Sequence, residues 1–247
     1  MSRSKAFEPV IETGWRMGFS NLARKELKAW FGTSAWWQQA LMWTGALGLF
    51  SSIGFQEPET GLMIFYIMAF IFPSIAVLVV ATGTILEEKD SGSAAWVLSK
   101  PVSRTAFVLA KLLPNSLNIA VSMVLIPGLV VFLLAVLFGA APNILAFYVS
   151  LIPVIMWQMF LLFLTVCLGT FFEKAGSVVW LPIIFIFFGA NLGMNTTIGP
   201  FGPWGLLTVA TGISTGTGFS VYPLIITIVV LVALGAAAIW RFSRHEF

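Results

Sequence analysis

The chain has 247 residues, of which 59% are hydrophobic and only 9% are charged, and its formal net charge is +3. Soluble domains carry about 25% charged residues, so this composition excludes an ordinary water-soluble fold and indicates a membrane protein. The length allows one membrane domain and no second soluble domain. The 13 basic residues flank apolar stretches instead of forming one basic face, which argues against nucleic-acid binding.

A basic amphipathic stretch, residues 15–31, precedes the first apolar stretch and predicts a helix lying in the membrane surface. Glu26 falls on the apolar face of this helix, where a carboxylate needs a cation or a donor. We expect the cation to be Arg104 or Lys111. On a helical wheel the apolar face is formed by Phe19, Leu22, Ala23, Leu27 and Trp30. The basic face is formed by Asn21, Arg24, Lys25 and Lys28.

Six apolar stretches are each long enough to cross a bilayer, which takes about 20 residues in a helix. They predict an all-α membrane protein with six transmembrane helices. The N-terminal segment 1–35 then holds the amphipathic helix, 36–241 is the six-span domain and 242–247 is a tail. The predicted spans are 36–55, 62–86, 112–138, 144–172, 175–193 and 221–240.

The distribution of basic residues predicts the orientation. All 13 fall in segments that the six-span threading places on one face, and the three connections on the other face carry none. Because basic residues are retained on the cytoplasmic side during insertion, we expect both termini to be cytoplasmic and the protein to lie in the cytoplasmic membrane. The first 35 residues do not resemble a removable signal peptide, so the first span is expected to remain as an anchor.

The connection between the second and third spans is too charged to be buried, because each charge costs about 2.5–3.5 kcal/mol at mid-bilayer. Asp90 or Ser91 can cap a short helix, Pro101 ends it, and Ser103 can begin the next helix. The sequence therefore predicts either a well-capped loop or a short rigid helix at 92–99, which we call the coupling segment. The charges of this connection are Glu87, Glu88, Lys89, Asp90, Lys100, Arg104 and Lys111.

The last connection on the other face, residues 194–220, is too apolar for a free loop and too rich in glycine and proline for a span. We expect it to dip into the outer leaflet or to cap the bundle.

The predicted spans contain no Asp, Glu, Lys, Arg or His, which disfavours a proton-coupled transporter or an intramembrane hydrolase. The single cysteine, Cys167, and the single histidine, His245, provide no metal cluster. No Gly-Lys dipeptide occurs, so a phosphate-binding P-loop is excluded. We expect no catalytic residue, no metal and no directly bound cofactor, and any energy for work must come from another chain.

Isolated polar and small residues lie within the fourth and fifth spans. Gln158 and Asn191 are amides that either form hydrogen bonds between helices or line a substrate path. Gly189 and Gly193 form a G-x-x-x-G pattern, which lets helices approach closely and is also typical of dimers.

The connection and the amphipathic helix together resemble the ABC-2 family of ATP-binding-cassette permeases. That family carries an acidic-basic pair, a Gly followed by Thr or Ser, a Leu-Ser-x-Pro-x-Ser-Arg block and a later Lys, and in its amphipathic helix a Lys-Glu-Leu. Asp90-Ser91 departs from the family, which is more often Arg- or Glu-rich there. The matching residues are Glu88, Lys89, Gly92, Ser93, Leu98, Ser99, Pro101, Val102, Ser103, Arg104 and Lys111, with Lys25, Glu26 and Leu27.

The resemblance implies a permease subunit of an exporter. Two permeases, identical or paralogous, pair in the membrane, and two cytoplasmic ATPase subunits, which bind ATP and Mg²⁺, dock on the coupling segment and the amphipathic helix. The residues that the resemblance assigns to ATPase coupling are Glu88, Gly92, Ser93, Val97, Leu98, Ser99, Pro101 and Arg104, and Val97 and Leu98 lie on one face of the predicted helix.

Two other function classes stay open from the residues alone. One is an ATP-independent channel or carrier, and the other is a membrane enzyme or assembly scaffold. The uncharged spans favour an apolar or amphiphilic substrate.

Overall fold

The computed structural model describes residues 13–87, 99, 101–140, 142–195 and 197–244, and these residues are largely helical, with no strand among them. A π-helical turn, Gly83–Glu87, extends α3, and a π-helical segment, Ile119–Leu125, joins α4 to α5 in one rod. The predicted all-α class is therefore confirmed for the described residues. The α-helices are α1 (Phe19–Phe31), α2 (Ala35–Gly54), α3 (Pro58–Thr82), α4 (Arg104–Asn118), α5 (Ile126–Leu137), α6 (Ile144–Phe171), α7 (Ala175–Met194), α8 (Leu206–Thr215) and α9 (Tyr222–Ser243).

Four helical segments in the described part of the chain are long and apolar enough to cross a membrane. The other two predicted spans, 36–55 and 175–193, fold as α2 and α7. Helix α2 includes Gln38 and Gln39 near its start, and the apolar part of α7 is the shorter stretch Ala175–Gly189. The four segments are Thr60–Thr82, Arg104–Leu137, Ile144–Phe171 and Tyr222–Ser243.

Helix α6 is the centre of the bundle. It packs against α3, α8 and α9, and it buries Phe147 and Trp157 completely. The most apolar window of α6 is 67% buried, whereas that of α9 is 17% buried although its hydropathy is similar. A central helix and a peripheral one are therefore distinguished by their packing and not by their apolarity.

The described basic residues all lie at one end of the bundle, which we call the basic end. There the guanidinium of Arg241, in the last turn of α9, lies 5.7 Å from the ring centroid of Phe171 at the end of α6. The other end of the bundle, which we call the opposite end, holds the turns after α2 and α5, where Phe55 stacks on Phe138 at 5.7 Å.

The described part of the segment 194–220, which is 194–195 and 197–220, packs against the bundle at the opposite end. Two 3₁₀ turns, Gly199–Phe201 and Pro203–Gly205, lead into α8, which buries its apolar side chains against α6. Gly216 ends α8 with φ of 70°, a left-handed conformation that glycine adopts without strain. This packing accounts for an apolar content too high for a free loop.

Candidate functional site

Helix α1 is held on α4 by an ion pair at the basic end. Lys111 Nζ donates to Glu26 Oε1 at 2.6 Å, and the two side chains are only 6% and 15% exposed. The apolar face of α1 packs on α4, so the carboxylate on that face needs the cation that α4 supplies. The predicted pairing of Glu26 is confirmed, with Lys111 as the partner.

A second polar contact lies one helical turn further along both helices. Trp30 Nε1 donates to Asn115 Oδ1 at 2.8 Å, and Asn115 Nδ2 donates to the carbonyl oxygen of Lys111 at 2.7 Å. Glu26 and Trp30 are four residues apart, as are Lys111 and Asn115, so each pair lies on one face of its helix. The equal spacing means that α1 and α4 run parallel and in register over this turn.

The start of α4 is tied to the chain that precedes α1. Ser103 caps α4, because its Oγ accepts from the backbone N–H of Ala106 at 3.0 Å, as its position predicts. The Ser103 hydroxyl donates to the carbonyl oxygen of Trp15. The backbone N–H of Ser103 donates to the carbonyl oxygen of Met17 at 2.9 Å. Gly18 allows this approach, since a Cβ there would lie 2.7 Å from Val102 Cγ2.

Arg104 contacts the end of the last helix. Its Nη1 donates to the carbonyl oxygen of Ser243 at 2.5 Å, where α9 ends. A cation at this position satisfies a free carbonyl and interacts favourably with the helix dipole. One turn later Phe107 stacks on Phe242, with ring centroids 4.9 Å apart and planes at 3°. Helix α4 is therefore joined to α9 as well as to α1.

Gln158 lies between α6 and α3 in the interior of the bundle. Its Nε2 donates to the carbonyl oxygen of Ala69 at 2.8 Å, and its Oε1 accepts from Ser74 at 3.1 Å. Pro73 has no N–H, so the carbonyl of Ala69 has no partner four residues ahead in its own helix. The neighbouring Trp157 also donates to α3, from Nε1 to the carbonyl oxygen of Phe70 at 3.0 Å. Gln158 therefore forms hydrogen bonds between two helices of this chain.

A family comparison identifies the kind of protein that this bundle forms. The sequence profile described as "ABC-2 family transporter protein" matches residues 18–247, which is nearly the whole chain. The chain belongs to the ABC-2 transporter family. No curated protein matches it.

As a member of this family, the ABC-2 permease is a multi-pass membrane protein and a membrane component of a transporter. It also makes the permease a component that is not itself catalytic. The resemblance that the sequence motifs predict is confirmed at the level of the family.

Several residues that the resemblance assigns to the permease's docking surface fall outside the described residues, and these are Glu88, Gly92, Ser93, Val97 and Leu98. The flanking Ser99 and Pro101 are exposed. In α1, Lys25 is exposed and borders a cavity of about 660 Å³ between α1, α3 and α4, and Leu27 is half-buried. The structure thus brings Lys25, Glu26 and Leu27 beside the helix that follows the coupling segment.

The remaining polar and small residues lie on α7. Asn191 is exposed on its surface. Gly189 packs against Trp157, where a Cβ would lie 2.9 Å from the indole ring, and Gly193 packs against the backbone of Trp204. Both glycines of the G-x-x-x-G pattern therefore allow close packing within this chain.

Trp30 and Asn115 complete the permease's α1–α4 contact, and motif analysis misses them. A sequence signal exists, because each lies four residues after a member of the Glu26–Lys111 pair. That spacing becomes informative only when the ion pair and its parallel register are known.

Proposed function

We propose that this permease is the membrane half of an ABC exporter, which moves its substrate across the cytoplasmic membrane with ATP hydrolysed by a separate ATPase subunit. The observation that carries the proposal is the contact of α1 with α4 through Glu26–Lys111 and Trp30–Asn115. A protein that docks on α1 acts on a helix that is already joined to α4, the helix that follows the coupling segment.

The proposed topology has six membrane crossings with both termini in the cytoplasm. Helix α2 has 20 residues, which span about 30 Å. It lies along the α4–α5 rod, because Gln39 accepts from Asn118 near the basic end and Phe55 stacks on Phe138 at the opposite end. Helix α7 begins at the basic end and reaches Trp204 at the opposite end. The basic end then faces the cytoplasm by the positive-inside rule.

Movement passes from the docking surface to the spans as a rigid-body displacement. The chain that leaves the coupling segment is bonded through Ser103 to the segment before α1, and α1 is bonded to α4. Arg104 extends this connection to α9. A push on the coupling segment therefore displaces α1, α4 and α9 together, and α4 continues through the π-helical segment into α5.

The proposed assembly has two permease copies, or one copy and a paralogue, and two ATPase subunits. ATP and Mg²⁺ bind to the ATPases. Uncharged spans support an apolar or amphiphilic substrate.

Affinity purification from native membranes tests the proposal. We expect an ATPase with a P-loop to co-purify with the tagged permease, and ATP hydrolysis to appear only when both chains are reconstituted in nanodiscs. V97D/L98D should reduce recovery of the ATPase at least about tenfold, because a charge buried without a partner at an interface costs several kcal/mol.

The matched control is T217D, which adds a carboxylate at an exposed position of the opposite end. It should leave ATPase recovery unchanged, and both variants should insert normally. Normal recovery with V97D/L98D, or ATP turnover by the permease alone, would overturn the proposal.

A further inference from the structure

The rod formed by α4 and α5 is interrupted near its middle by the π-helical segment Ile119–Leu125. The backbone N–H of Ile126 donates to the carbonyl oxygen of Val121, five residues back, whereas an α-helix bonds four residues back. The segment therefore holds one residue more than the α-helical turns that it replaces. Such π-bulges are rare, often lie at functional sites and are a known cause of kinks in helices.

Three further features weaken the backbone hydrogen bonding of the rod around this segment. Pro114 lies shortly before it and Pro127 shortly after it, and each lacks the N–H that a continuous helix needs. The hydroxyl of Ser122 donates to the carbonyl oxygen of Asn118, four residues back, at 2.6 Å, and a bond of this kind tends to bend a helix. All these features favour bending of the rod at the same place.

The two halves of the rod are held by different helices. Helix α4 is joined to α1 and to α9, of which α1 contains no buried residue and α9 is largely exposed. Helix α5 packs on the central helix α6, where a Cβ at Gly128 would lie 2.8 Å from Leu151. The ring centroids of Phe132 and Phe147 are 5.4 Å apart in the same contact. Peripheral helices therefore hold α4, whereas the centre of the bundle holds α5.

We propose that the π-helical segment is a hinge of the α4–α5 rod. Helix α4 swings about it together with α1 and α9, while α5 stays packed on α2 and α6. A bend of about 10° moves the start of α4, which is 15 residues long, by about 4 Å. This role rests on the proposed function, in which a push on the coupling segment reaches α4 first. The hinge confines the resulting displacement to the basic end of the bundle.

Distances between spin labels test the hinge in the full-length permease in nanodiscs. In a C167A background, N21C on α1 and L133C on α5 carry labels on the two sides of the hinge, and both positions are exposed. The matched pair is T208C and L133C, which joins α8 to α5 beyond the hinge. Double electron–electron resonance should give a distance distribution about 4 Å wider for the first pair than for the matched pair.

Deletion of Ala120 tests whether the extra residue of the π-helical segment creates the hinge. The deletion lets the rod become a continuous α-helix while α4 and α5 keep their partners. The distribution across the hinge should narrow to that of the matched pair, and the thermal midpoint should change by less than about 3 °C. Deletion of Leu129 is the control, because it rotates the rest of α5 by about 100° and separates Phe132 from Phe147. It should lower the midpoint by at least about 10 °C.

Three results would overturn the hinge. They are equal widths for the two label pairs, a distribution that stays wide after deletion of Ala120, and a loss of thermal stability on that deletion as large as the loss on deletion of Leu129. None of these measurements includes an ATPase, so failure of the hinge is distinguishable from failure of the proposed transport function.

Discussion

Two of the polar contacts that join helices in this permease use different chemistry. At the basic end, α1 is fixed to α4 by the charged pair Glu26–Lys111. In the interior, α6 is fixed to α3 by Gln158, which is neutral and donates to the carbonyl oxygen of Ala69. The comparison teaches that the depth of a contact in the bundle determines which polar groups can form it.

The physical reason is the cost of moving a charge out of water. A charge at mid-bilayer costs about 2.5–3.5 kcal/mol on insertion scales, whereas an amide needs only a hydrogen-bond partner. Pro73 provides that partner, because it leaves one carbonyl of α3 without its helical donor. At the basic end the two charges are also largely buried, but each is paired with the other, and Glu26 keeps some exposure.

The largest effect is expected for E26Q, which leaves the Lys111 ammonium buried without its countercharge. We expect the free energy of unfolding to fall by about 3 kcal/mol, the lower limit for breaking a buried pair, because Glu26 keeps some exposure. Steric trapping in lipid bicelles measures this change. In the assembled transporter, E26Q should also weaken the coupling of ATP hydrolysis to transport.

The double variant E26Q/K111M separates the effect of charge on the free energy of unfolding from the effect of packing. It removes both members of the pair, so it should recover most of the loss caused by E26Q. With K111M as the second single variant, the cycle should give a coupling energy of at least about 1 kcal/mol. If the single and double variants lose the same free energy, the pair does not hold α1 on α4 through its charges.

A smaller effect is expected for Q158L, which leaves the carbonyl of Ala69 without a donor. Hydrogen bonds between membrane helices contribute about 0.6 kcal/mol on average, and an unsatisfied carbonyl adds to this, so we expect a loss of about 1–2 kcal/mol. The matched control is N191L, the same kind of change at an exposed amide, which should shift the free energy by less than about 0.5 kcal/mol.

The variant P73A sharpens this prediction. An alanine N–H at position 73 can bond the carbonyl of Ala69 within α3, so the loss caused by Q158L in the P73A background should fall to roughly half. An undiminished loss would show that Gln158 does not act by replacing the missing donor of Pro73.

The smallest effect is expected for R104A at the end of α9. Loss of a cation from a helix C-terminus costs about 0.5–1 kcal/mol, and R104K should recover part of it by keeping the charge. Hydrogen exchange should become faster in the last turn of α9 with R104A and remain unchanged in α8. Unchanged exchange in α9 would contradict a role for Arg104 in holding that helix.

The amphipathic pattern of 15–31 predicts α1. It also predicts that Glu26 needs a cation, because a carboxylate on an apolar face must be paired with a cation or a hydrogen-bond donor. It does not choose between Arg104 and Lys111. That choice depends on the parallel register of α1 on α4, which places Arg104 beside the end of α9 and Lys111 beside Glu26. The register is set by packing along the whole contact between the two helices, and the identity of single residues does not predict it.

The sequence by itself determined the helical membrane class, the resemblance to ABC-2 permeases and the side on which the basic residues gather. These follow from local apolarity, charge and a contiguous motif, all of which act over a few neighbouring residues. Only the tertiary structure decided that α6 is central while the equally apolar α9 is peripheral, and that Gln158 joins helices while Asn191 is exposed. Hydropathy measures the free energy of transferring a side chain out of water. That free energy is the same for a side chain that faces lipid and for one that faces another helix.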